Sequence, residues 1–282
     1  MNKIHIITVK PREEVFVKTR EFWESYGWEV IPTYNDNTHP SLGRNKLLRK
    51  FYDSNDDWLC IADDDIILVS EEEFREHGSV KAIHGEINYP RLNYREFLTN
   101  NEQLFNNKTL PTCFGAVSSV NLAGRWNMVN LAKQYNNSQV FDNHWVFERS
   151  IKLAGICFIQ NIKKKYDKEF FQDENIPAAE DWEFAMQLID NGFSTALLNN
   201  IQFKENSTRT ELFKGSKGTI KEAMENRKIL LKEGKDLIIK KHPDASLMKN
   251  EGLQLRYWMK RAWKPQIGWT AEKKPRLLLE EI

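Results

Sequence analysis

The chain has 282 residues, 40% hydrophobic and 29% charged, which is enough apolar material for one large core or for a catalytic domain with a smaller appendage, and which excludes disorder as the default. The opening apolar run ends at Lys10, Pro11, Arg12, Glu13 and Glu14, too soon for a signal peptide or a membrane span, so a soluble, cytoplasmic, monomeric protein without a membrane partner is expected. A net charge of +1 conceals an asymmetry: residues 211–282 carry 17 Lys+Arg against 10 Asp+Glu, and the totals of 41 and 40 leave 24 against 30 for residues 1–210. Cys60, Cys113 and Cys157 are isolated in sequence, odd in number and without CxxC spacing, which argues against a disulfide framework or a zinc site.

Residues 3–9 are β-branched and stop at Lys10-Pro11, a first buried strand. Glu13 to Tyr26 has helical spacing, with Val15, Thr19, Phe22, Trp23 and Tyr26 near one face and Gly27 as the stop. Residues 28–32 read as a second strand, parallel to the first through a right-handed crossover. A polar, turn-rich segment from Tyr34 to Gly43 opens into a helix from about Arg44 to Tyr52. Trp58 to Ala62 is a central apolar strand that ends in Asp63-Asp64-Asp65, after which Ile66 to Val69 resumes. Strands alternating with helices imply an α/β fold whose ligand sits at the carboxyl ends of the strands, where these aspartates stand. Later expectations are a short helix at 71–76, strands at 82–88 and 194–198, a strand or Gly-containing loop at 112–120, helices at 121–135, 178–191 and 218–241, and a basic, aromatic stretch at 252–269.

Two carboxylates one residue apart after an apolar strand can turn toward one divalent cation that also binds two phosphate oxygens. Three adjacent aspartates repel one another, and a cation would offset this; an exposed acidic turn is the alternative. The haloacid-dehalogenase phosphatases also use paired aspartates, but after their first strand, whereas this cluster follows the third. Glu180-Asp181 opens an amphipathic helix, where acids are favoured by the helix dipole as simple caps. If that helix start faces the cleft, Asp181 can take a proton from an attacking hydroxyl.

In the order Gly43-Arg44-Asn45, Asp63-x-Asp65, Glu180-Asp181, the chain resembles GT-A glycosyltransferases over roughly residues 3–205. The resemblance implies a Rossmann-like, mostly parallel sheet flanked by helices, with a helical, basic extension at 206–282. It also implies a UDP-sugar donor, and Mn²⁺ or Mg²⁺ held by Asp63 and Asp65. Asp181, with Glu180, would be the catalytic base, and Asn35, Asp36, Arg44, Asp63, Asp64 and Gly115 would line the donor. Arg44 has an ordinary surface arginine as its alternative, and Gly115 a simple bulge glycine. GT-A enzymes often add a C-terminal His to the metal, but His242, in a Lys-Lys-His-Pro turn, reads as a surface residue, so the third ligand stays open.

Residues 253–276 hold Arg256, Lys260, Arg261, Lys264, Lys273, Lys274 and Arg276 against one acid, interleaved with Tyr257, Trp258, Trp263 and Trp269. Cations can pair with phosphates while indoles stack on bases, which marks Arg256, Trp258, Lys260, Arg261, Trp263 and Lys264 as DNA contacts; the alternative is that these aromatics dock the segment on the catalytic domain. In length, order of landmarks and basic end the chain also resembles the phage TET-associated glycosyltransferases. That implies double-stranded DNA containing hydroxymethylcytosine, or a sugar already on it, as acceptor for arabinose or glucose. A glycan-directed GT-A enzyme and a non-catalytic DNA-binding protein are the competing readings.

Overall fold

The computed structural model describes residues 1–35, 39–70, 72–73, 93–107, 110–118, 138–141, 145–149, 153, 155–214, 216 and 218–243. The elements expected at 71–76, 82–88, 121–135 and 252–269 lie wholly or mainly outside them. Nine strands among the described residues form one sheet: β1 (Lys3–Thr8), β2 (Glu29–Tyr34), β3 (Trp58–Asp63), β4 (Ile66–Leu68), β5 (Cys113–Ser118), β6 (Ser138–Phe141), β7 (Trp145–Arg149), β8 (Ile156–Gln160) and β9 (Thr195–Glu205). The order is β2-β1-β3-β8-β5-β9-β7-β6, with β4 paired to β9. The α/β class is as expected. Parallel pairing joins β2, β1 and β3, and β5 to β9; β8 inserts antiparallel between β3 and β5, and the β4, β6 and β7 pairings are antiparallel too.

Helix α1 (Glu13–Ser25) runs as the spacing predicts and ends at Gly27, whose φ of 79° needs the glycine. Helix α2 (Pro40–Tyr52) starts four residues before Arg44, because Pro40 suits the first helical turn, where no amide donor is needed. Four short helices were not anticipated: α3 (Tyr94–Thr99), α4 (Glu102–Asn106), α5 (Lys163–Tyr166) and α7 (Arg209–Leu212). Helices α6 (Glu180–Asp190) and α8 (Ile220–Lys241) match expectation. Strand β9 runs to Glu205, well past residue 198: after a register shift between Ala116 and Val117 it pairs with β5 again at Gln202 and Phe203, and Phe203 to Glu205 also pair with β4.

Alternation along β3 sorts the core into two layers. Cys60 and Ala62 pack with Trp23 and Trp28 on the α1 face, and Leu59 and Ile61 pack with Leu47, Leu48 and Phe184 on the face covered by α2 and α6. Trp23 Nε1 donates to the Ile66 carbonyl at 3.0 Å and Trp28 Nε1 to the Leu98 carbonyl at 2.7 Å, so both buried indoles satisfy their only donor. The cysteines are less isolated in space than in sequence: Cys113 and Cys157, free thiols on neighbouring strands, stand with their Sγ atoms 3.2 Å apart.

The layer rule also aims the acidic turn. Residue 63 continues the 59, 61 face toward α2 and α6, while the chain turns at Asp64 and Asp65. Gly155 accepts the Asp63 amide at 3.1 Å from a φ of 83°, and a Cβ there would overlap the Phe203 ring. Gly155→Ala is therefore expected to cost at least about 2 kcal/mol in urea denaturation, from backbone strain and overpacking together; a variant as stable as the parent would show that Phe203 yields freely.

Candidate functional site

Parallel pairing puts the carboxyl ends of β1, β2 and β3 on one edge, with Ile7 opposite Asp63 and Thr8 opposite Tyr34. Onto this edge α2 delivers Arg44 and α6 delivers Glu180. The Arg44 guanidinium bridges them: Nη2 is 2.5 Å from Asp63 Oδ1 and Nη1 is 2.5 Å from Glu180 Oε1. Burial pulls the Arg44 pKa down, but Asp63, Glu180 and Asp181 pull it further up, so it stays charged. Arg44 is thus not a surface arginine. Its helix is held in place by Asn45, whose carboxamide pairs with the Gln172 backbone through two hydrogen bonds of 2.8 Å, on the chain leading to α6. The Asp63 side chain keeps 41% of its surface open, against 10% for Glu180. Asp181 is half-buried and lines a small cavity with Arg44, Ile61, Cys157, Gln172 and Phe184.

The other two aspartates turn inward. Arg12 Nη2 lies 2.8 Å from Asp64 Oδ1 and 2.9 Å from Asp65 Oδ2, Thr8 Oγ1 donates to Asp64 Oδ2 at 2.9 Å, and Ser207 Oγ donates to Asp65 Oδ2 at 2.7 Å. Both are 4% exposed, so their mutual repulsion is offset by an arginine of the chain itself. Sequence reasoning missed Arg12, Thr8, Ser207 and Glu205. Thr8 is the last residue of the first strand and Arg12 ends the turn that follows it, Lys10–Arg12, a position that the topology alone marks. Glu205 comes close because β9 pairs it with Ile66 and the Asn206 amide donates to the Asp65 carbonyl at 2.5 Å. Burial first, then Asp65 and Asp63, hold the Glu205 carboxyl above its usual range, against the pull of Arg227 and Arg12.

The remaining candidates fall as follows. Asn35 stands on the same edge, buried, its Nδ2 donating to the His39 carbonyl at 2.8 Å. Gly115 is inside the sheet, where a Cβ would press on the Ile156 carbonyl oxygen at 2.9 Å and on Leu197, so close strand packing accounts for it. Asp36, Arg256, Trp258, Lys260, Arg261, Trp263 and Lys264 lie outside the described residues. His242, read as a surface residue, is instead tucked against α6, with Nε2 3.3 Å from Glu183 Oε1 and Nδ1 3.2 Å from Asp190 Oδ2.

The donor set of this edge is all oxygen, the chemistry of a hard cation. Among the described residues no group of three or more His, Cys, Asp or Glu side chains is placed to hold a metal by itself. An ion of the magnesium type takes one or two carboxylates and completes its shell with water and substrate phosphates; of this pair Asp63 has an open carboxylate, whereas Asp65 is engaged by Arg12 and Ser207.

No protein-family model matches the sequence, and no curated protein does. Among solved structures the chain is similar to a Drosophila β-1,4-galactosyltransferase 7 mutant in complex with manganese, UDP-Gal and xylobiose, at 11% identity and a TM-score of 0.42, over 78% of this chain and 76% of that one. It is similar to A197 from STIV at 14% identity and a TM-score of 0.36, over 72% and 84%. A third likeness, to GalNAc-T7 with UDP, GalNAc and Mn²⁺, has 10% identity and a TM-score of 0.37 and covers 99% of this chain but 58% of that one. With TM-scores below one half, these likenesses assign nothing to the chain.

Two outcomes follow from the charge pairing. Arg12→Met leaves two buried carboxylates without their cation and is expected to cost about 3–5 kcal/mol of stability by denaturant titration. Burial also pushes the Asp64 carboxyl up to about 6, against the downward pull of Arg12 and Thr8, while the unfolded carboxyl titrates near its ordinary value of about 3.9. The native state therefore holds this proton more tightly, and the stability it contributes is complete below about pH 4 and lost as pH rises through about 6. Denaturation between pH 4 and 7 should show that fall and Asp64→Asn should flatten it; an unchanged slope in the variant would place its origin elsewhere.

Proposed function

We propose that this chain is a metal-dependent glycosyltransferase of the GT-A type that transfers a sugar from a UDP-sugar. The observation that carries the reading is the Arg44 bridge, which joins the carboxylate at the end of the third parallel strand to the acidic first turn of α6. Asp63 and Asp65 would hold a divalent cation; when bound, it would neutralise the leaving diphosphate. The edge has charge to spare for it, since Asp63, Asp64, Asp65, Glu180, Asp181 and Glu205 outnumber Arg12, Arg44 and Arg227. Asp181, fixed in the first turn of a helix and open to the adjoining cavity, takes the proton of the attacking hydroxyl. Glu180 keeps Arg44 in register with Asp63.

For the acceptor we favour a hydroxymethylated cytosine in double-stranded DNA, or a sugar already on it. Seven cations against one acid, with four large aromatics, between residues 253 and 276 support this. Extruding a nucleotide or reaching its hydroxymethyl through the major groove needs such a basic surface beside the donor. In this arrangement residues 1–205 form the catalytic unit and 206–282 the basic unit that meets the acceptor.

The test is transfer of radiolabelled sugar from a panel of UDP-sugars, with Mn²⁺, to DNA containing cytosine, hydroxymethylcytosine or glucosyl-hydroxymethylcytosine. Label on modified DNA that falls at least about a hundredfold in Asp63→Asn is expected. Replacing Lys260, Arg261 and Lys264 by Ala should lower DNA affinity and its salt dependence while donor hydrolysis persists. Metal-dependent donor hydrolysis with no label on any DNA would redirect the acceptor search to glycans. Absence of both would sink the enzyme reading.

A further inference from the structure

Helix α8 lies along the site with one buried stripe. Ala223, Gly234 and Ile238 are its buried residues, and the helical spacing sets Arg227 and Lys241 on the same side. Two contacts follow one another along this stripe, and N-terminal to them the charge of Arg227 acts on Glu205, beside the acidic turn. Gly234 lies so close to Ala178 that a Cβ there would overlap the Ala178 carbonyl oxygen. At the end of the helix Lys241 Nζ stands 2.6 Å from Glu183 Oε1 and 3.0 Å from Asp173 Oδ2, and His242 follows between Glu183 and Asp190.

The Gly234 contact falls at a sensitive point. Ala178 precedes Ala179, which caps α6 in the left-handed region with φ 65° and ψ 26°. A residue with a side chain stays there only when its surroundings over-determine it. The Ala179 carbonyl accepts the amides of Trp182 at 3.1 Å and Glu183 at 3.4 Å, so its conformation sets the direction of the first turn and of Glu180 and Asp181. Alanine would be the better residue for a helix interior, and the close approach explains why glycine stands at 234 instead.

We propose that Gly234 is a positioning residue for Glu180 and Asp181. The bare backbone of α8 rests on Ala178, keeps Ala179 in its left-handed turn, and so holds the acidic start of α6 against Arg44. A side chain at 234 must push either α8 away or residues 178 and 179 toward the site. The kinetic readout below rests on the glycosyltransferase reading; the exchange readout does not.

Gly234→Ala in the full chain is expected to lower kcat for donor hydrolysis roughly tenfold to a hundredfold, the scale on which misplaced catalytic groups act, with the donor KM within about twofold of the parent. The amides of Trp182 and Glu183 should exchange hydrogen faster, while those of β1 keep their protection. Adding Ala179→Gly should restore most of kcat, because glycine accepts the shifted backbone without strain. Should Gly234→Ala not fold, Lys241→Gln, which loosens the last turn of α8 from Glu183, is expected to give a smaller loss with the same kcat-only pattern. Parental kcat and exchange in a folded Gly234→Ala would overturn the proposal. So would faster exchange throughout the sheet with no rescue by Ala179→Gly, which would mark a merely structural role. If the parent hydrolyses no donor, exchange at Trp182 and Glu183 still decides the positioning claim.

Discussion

One guanidinium organises this molecule's acidic edge. Arg44 reaches from α2 to Asp63 on the sheet and to Glu180 on α6; both bonds are short, the one to Glu180 is shielded from water, and Asp63 stays partly open. Either carboxylate without it would be drawn off by solvent or repelled by its neighbours, and the strand end and helix start would part. The surrounding structure serves to hold that arginine. Asn45 ties its helix to the segment before α6, alternation along β3 turns residue 63 to the same side, and β8 braces the Asp63 amide through the Gly155 carbonyl.

A second arginine divides the acidic turn by function. Arg12 takes the charges of Asp64 and Asp65 into the fold, with Thr8 and Ser207 as further donors, and leaves Asp63 as the open carboxylate of the three. In the proposed metal-dependent reading, a cation that took Asp65 would have to draw it partly from Arg12, which would couple metal affinity to local stability at one oxygen. The turn is not an exposed acidic loop, and among the described residues it is not a preformed cage either.

The sequence carried the local parts of this picture. Short β-branched or apolar runs and the 3.6-residue period placed β1, α1, β2, β3 and α6 to within a few residues, and the aspartates, Arg44 and Glu180-Asp181 stood out by position. What it did not carry depends on long-range pairing. Strands β6 and β7 are short and lack a distinctive pattern, β8 is a short apolar run that the sequence alone does not mark as a strand, and the part of β9 beyond residue 198 follows a register shift and pairs with β4 as well as β5. Arg12, Ser207 and Glu205 join the site only once the sheet closes, and His242, in what reads as a surface turn, is drawn inward by Glu183 on another helix. The importance of Gly234 is likewise invisible in a charged helical segment, since only the approach of Ala178 gives it meaning.

The most direct test of the central claim, that the edge around Asp63, Arg44 and Glu180 is a nucleotide-sugar site, is calorimetric titration of UDP into the protein with and without Mn²⁺. Binding that requires the cation, and that Arg44→Met weakens at least tenfold, is predicted. No heat with UDP under either condition, or equal affinity with the cation removed, would contradict it.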